Sequence, residues 1–153
     1  MKLTAFTDYS LRVLIYLAAQ PGQRATIGQI ATAYGISENH LVKVVHFLGK
    51  SGWLTNVRGK GGGLELARPP ERINVADVVR DTEGEAAVVE CFSKEGHCAI
   101  ADCCKLAGVL AEAVAAFVAV LARYTLADLV RNREQLATIL FLPMPAGPRK
   151  KRA

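Results

Sequence analysis

The most chemically distinctive residues of this chain are four cysteines that crowd into one short segment. Cys91, Cys98, Cys103 and Cys104 lie close together, with His97 among them. Structural zinc sites usually draw their ligands from C-x2-C pairs, and this segment has no such pair. The looser spacing suits a larger inorganic core held by a loop, and thiolates are the normal protein ligands of iron-sulfur clusters. The cysteines therefore predict an iron-sulfur cluster.

Other chemistries for the same cysteines stay open. Zinc would be held if His97 joined the thiols, and Cys103 with Cys104 would form a redox pair without any metal. Adjacent cysteines close a strained ring when they are oxidised together, which disfavours that pair. Cysteines also pack as small apolar residues. A thiol oxidoreductase finds no support, because the sequence offers no recognisable nucleophile and base.

Upstream of the cysteines the sequence predicts a helix-turn-helix. Apolar spacing predicts a helix from about Ala5 to Ala19 and a second from Thr26 to Tyr34, which begins with a capping-box pattern. Gly35 ends the second helix because glycine accepts a left-handed backbone. Ser37 is expected to cap a third helix. The inner face of that helix is apolar: Leu41, Val44, Val45 and Leu48.

The polar residues of this region suit contact with DNA. A recognition helix lies in the major groove with its N-terminal residues at base edges. The two strand-like runs around residues 59–63 predict a hairpin whose cationic tip reaches phosphates or the minor groove. The residues predicted to contact double-stranded DNA are Thr26, Gln29, Ser37, Asn39, His40, Lys43, Arg58 and Lys60.

The distribution of charge agrees with a DNA-binding N-terminal half. Residues 1–70 carry eight Lys and Arg against three Asp and Glu, whereas residues 71–148 carry seven against eleven. A basic end before an acidic middle is expected of a protein that presents one end to a polyanion. The last four basic residues, Arg149 to Arg152, form a tail.

The fold class predicted is mainly α with a small β-hairpin wing: a winged helix-turn-helix plus a long dimerisation helix. Residues 1–84 form the DNA-binding domain, which includes a short helix over Asn74 to Thr82. The cluster-binding loop occupies residues 85–104, the dimerisation helices residues 105–142, and a disordered basic tail residues 143–153. A last helix is expected from about Leu126 to Leu142.

The segment Leu106 to Ala122 is apolar apart from Glu112. It falls short of the roughly 20 apolar residues of a membrane span, and a carboxylate near its centre would be costly there. A helix apolar on all sides is otherwise buried, and a second copy of the chain supplies the missing wall. The sequence thus predicts a homodimer without membrane contact. The N-terminus lacks a signal-peptide pattern, so we expect a cytoplasmic protein with reduced thiols.

Several segments together resemble the NsrR family of nitric-oxide-sensing repressors. These are LTAFTDYSLRVLIYLA, AYGISENHLVKVVHFLGKSGWL, NVRGKGGGLELARP, INVADVVRDTEG, the cysteine loop and YTLADLV. The resemblance spans about residues 1–142 and places the chain in the winged-helix family that also contains the iron-sulfur assembly regulator IscR. It implies a homodimeric repressor that is not an enzyme. Nitric oxide would attack its labile cluster, releasing DNA and derepressing detoxification genes.

The resemblance also implies a set of cluster ligands. Cys91, Cys98 and Cys104 match the three cysteines of the family, and Cys103 is then an extra. The gap between the first two is one residue longer than usual, so Cys103 stays open as the third ligand. Asp8 lies in an FTDY context in which a family member uses a carboxylate of the other subunit as the fourth ligand. An aspartate there is also favourable through the helix dipole alone.

The assembly-regulator branch places a histidine three residues after its third cysteine, where this chain has Ala107. This departure favours the nitric-oxide sensor. Three cysteines and a carboxylate are compatible with a 4Fe-4S cluster, which we favour, and a 2Fe-2S cluster stays open. An assembly or redox regulator of the same fold, or a zinc- or thiol-based regulator, remains the alternative.

Overall fold

The computed structural model describes residues 3–84, 100 and 104–141, and its N-terminal half has the predicted order of elements. The confirmed fold class is mainly helical with a two-stranded antiparallel hairpin. The elements of this half are α1 (Ala5–Ala19), α2 (Ile27–Tyr34), α3 (Glu38–Lys50), β1 (Leu54–Val57), β2 (Gly63–Leu66), a 3-10 helix (Pro70–Arg72) and α4 (Val75–Glu83).

The helix ends follow local capping chemistry. Thr26 and Gln29 form the predicted capping box at the start of α2, and Gly35 ends that helix with a φ of 63°. Asn74 caps α4 through a hydrogen bond from the backbone of Ala76. The prediction for Ser37 was wrong in one respect. It occupies the N-cap position of α3, but its side chain makes no capping hydrogen bond, and only its carbonyl begins the helix.

The hairpin is fixed by glycines at its tip. Leu54 pairs with Leu66 and Val57 with Gly63. A Cβ atom at Gly62 would lie 2.4 Å from the carbonyl oxygen of Val57, and one at Gly63 would lie 3.0 Å from that of Ala25. These backbones approach too closely for any side chain, which explains why the glycine run closes this turn.

The hydrophobic core is centred on α1. Val13 and Leu14 of this helix are fully buried, as are Ile30 of α2 and Leu41 of α3. The predicted inner stripe of α3 is therefore confirmed. Leu64 of β2 joins the same cluster and closes the hairpin over it.

The C-terminal elements are α5 (Leu106–Leu121), α6 (Leu126–Leu129) and α7 (Arg133–Phe141). The single helix expected from Leu126 to Leu142 was wrong, because the chain breaks between α6 and α7. A capping box of Thr125 and Asp128 begins α6, and Val130 then leaves helical geometry with its side chain fully buried. Burial of Val130 in the core around α1 favours this break.

Backbone pairing attaches the end of α5 to the start of α4. Val75 donates to the carbonyl of Tyr124 at 3.0 Å, and Leu126 donates to that of Ile73 at 2.8 Å. The side-chain amide of Asn74 donates to the carbonyl of Ala122 at 2.8 Å. Helix α5 is therefore fixed to the DNA-binding half at its C-terminal end.

Helix α5 itself is apolar and uncovered. None of its residues is buried, and Leu106, Val109 and Val120 have exposed fractions of 58%, 61% and 45%. Within the described ranges, none of the helices is both long and apolar enough to cross a membrane.

We predict that Leu126→Ala lowers the free energy of unfolding by about 2–4 kcal/mol, because a fully buried leucine leaves a cavity in the core. Ile139→Ala, at a position that is 65% exposed, should cost less than about 1 kcal/mol. Denaturant unfolding at one fixed protein concentration measures both. Equal effects of the two changes would mean that α6 does not belong to this core.

Candidate DNA-reading surface and its links to the cysteine segment

Helices α2 and α3 meet through a tight turn. The backbone N–H of Ile36 donates to the carbonyl of Ala31 at 3.0 Å, and Ile36 packs on the core as a plug at the corner. A Cβ atom at Gly28 would lie 3.3 Å from Oε1 of Glu38, so the first turns of the two helices are close neighbours. This arrangement is the helix-turn-helix that the sequence predicts.

The predicted recognition residues lie together on the start of α3. Ser37, Asn39, His40 and Lys43 are all exposed, and we call these four residues the reader surface. The opposite side of the helix is buried against the core. Because the Ser37 hydroxyl makes no capping bond, it is available to a ligand.

Thr26 and Gln29 are exposed but occupied by each other. The backbone of Thr26 donates to Oε1 of Gln29 at 2.8 Å, and the backbone of Gln29 donates to Oγ1 of Thr26 at 3.2 Å. Arg58 and Lys60 are exposed at the hairpin tip. Among the described residues, neither of these two cations pairs with a carboxylate, so both are free to meet phosphate.

Arg24 was not predicted from the sequence, yet it fastens the hairpin to the start of α2. It forms an ion pair with Glu65 at 2.8 Å and donates to the carbonyl of Gly61 at 3.3 Å. Ala25 and Leu64 exchange two backbone hydrogen bonds beside it, at 3.1 and 2.8 Å. The hairpin tip and α2 therefore form one surface.

Aromatic contacts join the first turns of α1 to α3. The rings of Phe6 and Phe47 meet edge to face with centroids 5.2 Å apart. The ring of Tyr9 stacks on that of His40 with centroids 6.3 Å apart and an angle of 25° between the planes. One residue of the reader surface thus rests directly on α1.

The N-terminus of α1 is held by a carboxylate at the end of α4. Oε1 of Glu83 accepts from the backbone N–H of Thr4 at 2.8 Å and from its hydroxyl at 3.0 Å. It also accepts a short hydrogen bond from the hydroxyl of the fully buried Thr7. Partial burial raises the pKa of Glu83, but the hydrogen bonds from Thr7 and Thr4 outweigh this effect and hold that pKa below its ordinary value. We call this group the Glu83 clamp.

The same turn of α4 also holds the hairpin. The indole N–H of Trp53 donates to Oδ2 of Asp81 at 2.9 Å. The guanidinium of Arg68 lies over the Trp53 ring, 4.7 Å from its centroid, and donates to the carbonyl of Gly52 at 3.0 Å. Asp81 and Glu83 therefore connect the end of α4 to both candidate DNA-reading elements.

Two predicted cluster ligands fall within the described residues. Cys104 is a half-buried free thiol before the start of α5. Asp8 lies in the first turn of α1, where its carboxylate is 46% exposed and pairs with Arg12 at 2.9 Å. Residues 91, 98 and 103, and His97, lie outside the described residues. Those that are described contain no group of three metal-binding side chains.

The sequence matches proteins of one family over most of its length. The profile of the Rrf2 family, an iron-dependent transcriptional regulator, matches residues 3–132. The HTH-type transcriptional regulator NsrR of Bacillus subtilis (strain 168) is 51% identical over 92% of this chain and 97% of that protein. NsrR of Shouchella clausii (strain KSM-K16) is 48% identical over 92% of this chain and 95% of that protein.

Solved structures share the fold. T. potens IscR has a TM-score of 0.69 and 26% identity, covering 96% of this chain and 94% of its own. The oxidized form of Staphylococcus aureus CymR has a TM-score of 0.68 and 28% identity, covering 86% of this chain and 97% of its own. The predicted resemblance and the predicted fold are both confirmed. This chain belongs to the Rrf2 family of iron-dependent transcriptional regulators, and it is a DNA-binding regulator.

Proposed function

We propose that the protein is a homodimeric repressor that binds operator DNA and releases it when nitric oxide attacks an iron-sulfur cluster. The observation that carries this proposal is the 51% identity to an NsrR regulator over 92% of the chain. The described surface supports it, because polar recognition residues and unpaired cations lie on neighbouring elements.

In the proposed complex, α3 enters the major groove with the reader surface at the base edges. Asn39 suits adenine, and Lys43 suits guanine or a phosphate. Arg58 and Lys60 at the hairpin tip neutralise phosphates or enter the minor groove. Thr26 and Gln29 fix the start of α2, whose free backbone N–H groups face the phosphate backbone.

We propose that a second copy of the chain covers α5. The helix is 16 residues long, and its exposed apolar side chains need a partner in water. An isologous pairing of α5 with itself leaves one reader surface on each side of a two-fold axis. Two recognition helices in successive major grooves must be held about 34 Å apart. The dimer contact would set this separation.

The donor chemistry fits an iron-sulfur cluster. Thiolates of Cys91, Cys98 and Cys104 would bind it, and Asp8 of the other subunit would complete the set. Cys104 is neither oxidised nor deeply buried, and Asp8 becomes a ligand only after it leaves Arg12. A cluster bound there would supply iron that reacts with nitric oxide. We favour a 4Fe-4S cluster, and a 2Fe-2S cluster is the alternative.

The cysteine segment links the end of α4 to the start of α5, so both of its ends are attached to elements that position the DNA-reading surface. With the cysteines bound, residues 85–104 form a short tether between the DNA-binding domain and the dimerisation helices of residues 105–142. Release of the cysteines would free that tether. The separation of the two α3 helices would then no longer be fixed, and operator affinity would fall.

A thiol-based regulator is the second candidate. The observation in its favour is the structural likeness to the oxidized form of Staphylococcus aureus CymR, with a TM-score of 0.68. In that case Cys103 or Cys104 would be oxidised reversibly without metal. A colourless protein whose DNA binding responds to oxidants and not to nitric oxide would favour this candidate.

We expect anaerobically purified protein to be brown, to contain iron and sulfide, and to release an operator duplex at low equivalents of nitric oxide. Visible absorbance and fluorescence anisotropy, followed in one titration, measure both events. Cys91→Ser should lose the absorbance and the response together, because a thiolate ligand is missing. Cys103→Ser is the matched control and should keep both. A Cys91→Ser protein with a full nitric oxide response would contradict the proposed ligand set.

The DNA contacts give a separate prediction. Asn39→Ala should cost about 1–3 kcal/mol of binding free energy on the operator and change the preference at one base pair. Lys60→Ala should weaken binding to all duplexes and reduce the slope of log K against log salt by about 0.9. Anisotropy titrations at several salt concentrations measure both quantities, with the exposed Lys50→Ala as control. Unchanged specificity in Asn39→Ala would remove this residue from the base-reading set.

A further inference from the structure

We propose that Glu83 is a positioning residue that passes the state of the cysteine segment to the recognition helix by holding the N-terminus of α1. The inference rests on the proposed function, since it concerns how ligation changes DNA affinity. It is carried by contacts among described residues of α4, α1 and α3, taken in order below.

The first step is the place of Glu83 at the end of α4. The chain leaves this helix through Gly84, which has a φ of 67° and donates to the carbonyl of Arg80 at 3.0 Å. The cysteine segment, residues 85–104, follows directly. A fixed turn separates the segment from Glu83, so a pull on the segment acts on the last turn of α4.

The second step is the Glu83 clamp. The first backbone N–H groups of a helix have no partner within it, and the helix dipole makes this end positive. The carboxylate of Glu83 satisfies the N–H of Thr4 and binds the hydroxyls of Thr4 and Thr7. Thr7 also donates to Thr82 at 2.9 Å. The start of α1 is therefore tied to the end of α4 through residues 79 positions apart.

The third step joins α1 to the reader surface. Phe6 and Tyr9 lie in the first turns of α1, directly after the clamp, and contact Phe47 and His40 of α3. His40 belongs to the reader surface. A tilt of the N-terminus of α1 therefore moves the side chains on which the recognition helix rests.

Asp81 offers a competing route, because its hydrogen bond to Trp53 leads to the hairpin and not to α3. The Glu83 route is favoured on geometry. It satisfies a helix terminus with three hydrogen bonds to one oxygen, whereas Asp81 makes one hydrogen bond to an indole. The two routes make different predictions for their variants.

The test compares operator affinity of the cluster-loaded and cluster-free forms, using a duplex selected with the loaded wild-type protein. Glu83→Gln should keep the visible absorbance of the cluster but reduce the loaded-to-free affinity ratio at least tenfold. A merely structural role would lower both affinities equally and leave the ratio unchanged. Asp77→Asn is the matched control, because this exposed residue of α4 pairs only with Arg80, at 2.9 Å. Its ratio should stay within twofold of wild type.

A full ratio in Glu83→Gln would overturn the inference, and so would a reduced ratio in Asp81→Asn alone. If Glu83→Gln does not hold the cluster, Phe47→Leu tests the far end of the same route, away from the cysteine segment. A reduced ratio in this variant supports the route, and an unchanged ratio overturns it. A wild-type protein with equal affinities in both forms would overturn the proposed function as well. A wild-type ratio that no variant alters would overturn this inference alone.

Discussion

Helix α4 is held at both ends, and the rest of the structure depends on this constraint. At its start, residues 73–75 pair through the backbone with residues 124–126, which fixes the end of α5. At its end, Asp81 and Glu83 accept hydrogen bonds from the hairpin and from the start of α1. Without these contacts, the dimerisation helix and the DNA-reading elements would be connected only by covalent chain. With them, the residues on either side of the cysteine segment are part of one packed unit.

Elements specified by local signals could be predicted from the sequence. The bounds of α1, the capping box of α2 and the left-handed Gly35 follow from helical spacing and from residue types at helix ends. The hairpin follows from its glycine run, whose close backbone approaches leave no space for a Cβ atom. Exposure of Asn39 and Lys43 follows from the apolar stripe on the opposite face of α3.

Features that depend on distant residues could not be predicted in this way. The pairs Thr4 with Glu83, Arg24 with Glu65 and Trp53 with Asp81 are 79, 41 and 28 positions apart, and no local pattern marks them. The break after α6 depends on the core that receives Val130, so helical spacing alone predicted one continuous helix. Ser37 has a residue type that favours capping, but whether its hydroxyl turns inward is decided by its surroundings.

The central claim is that the cysteine segment controls the separation of the two recognition helices. The most direct test is pulsed electron resonance between gadolinium labels at Lys50 of each subunit, attached through a non-natural amino acid so that the cysteines remain untouched. The cluster-loaded dimer should give one narrow distance distribution. After anaerobic treatment with nitric oxide, this distribution should broaden or shift by several ångströms as DNA is released. Release of DNA with an unchanged distribution would contradict the account.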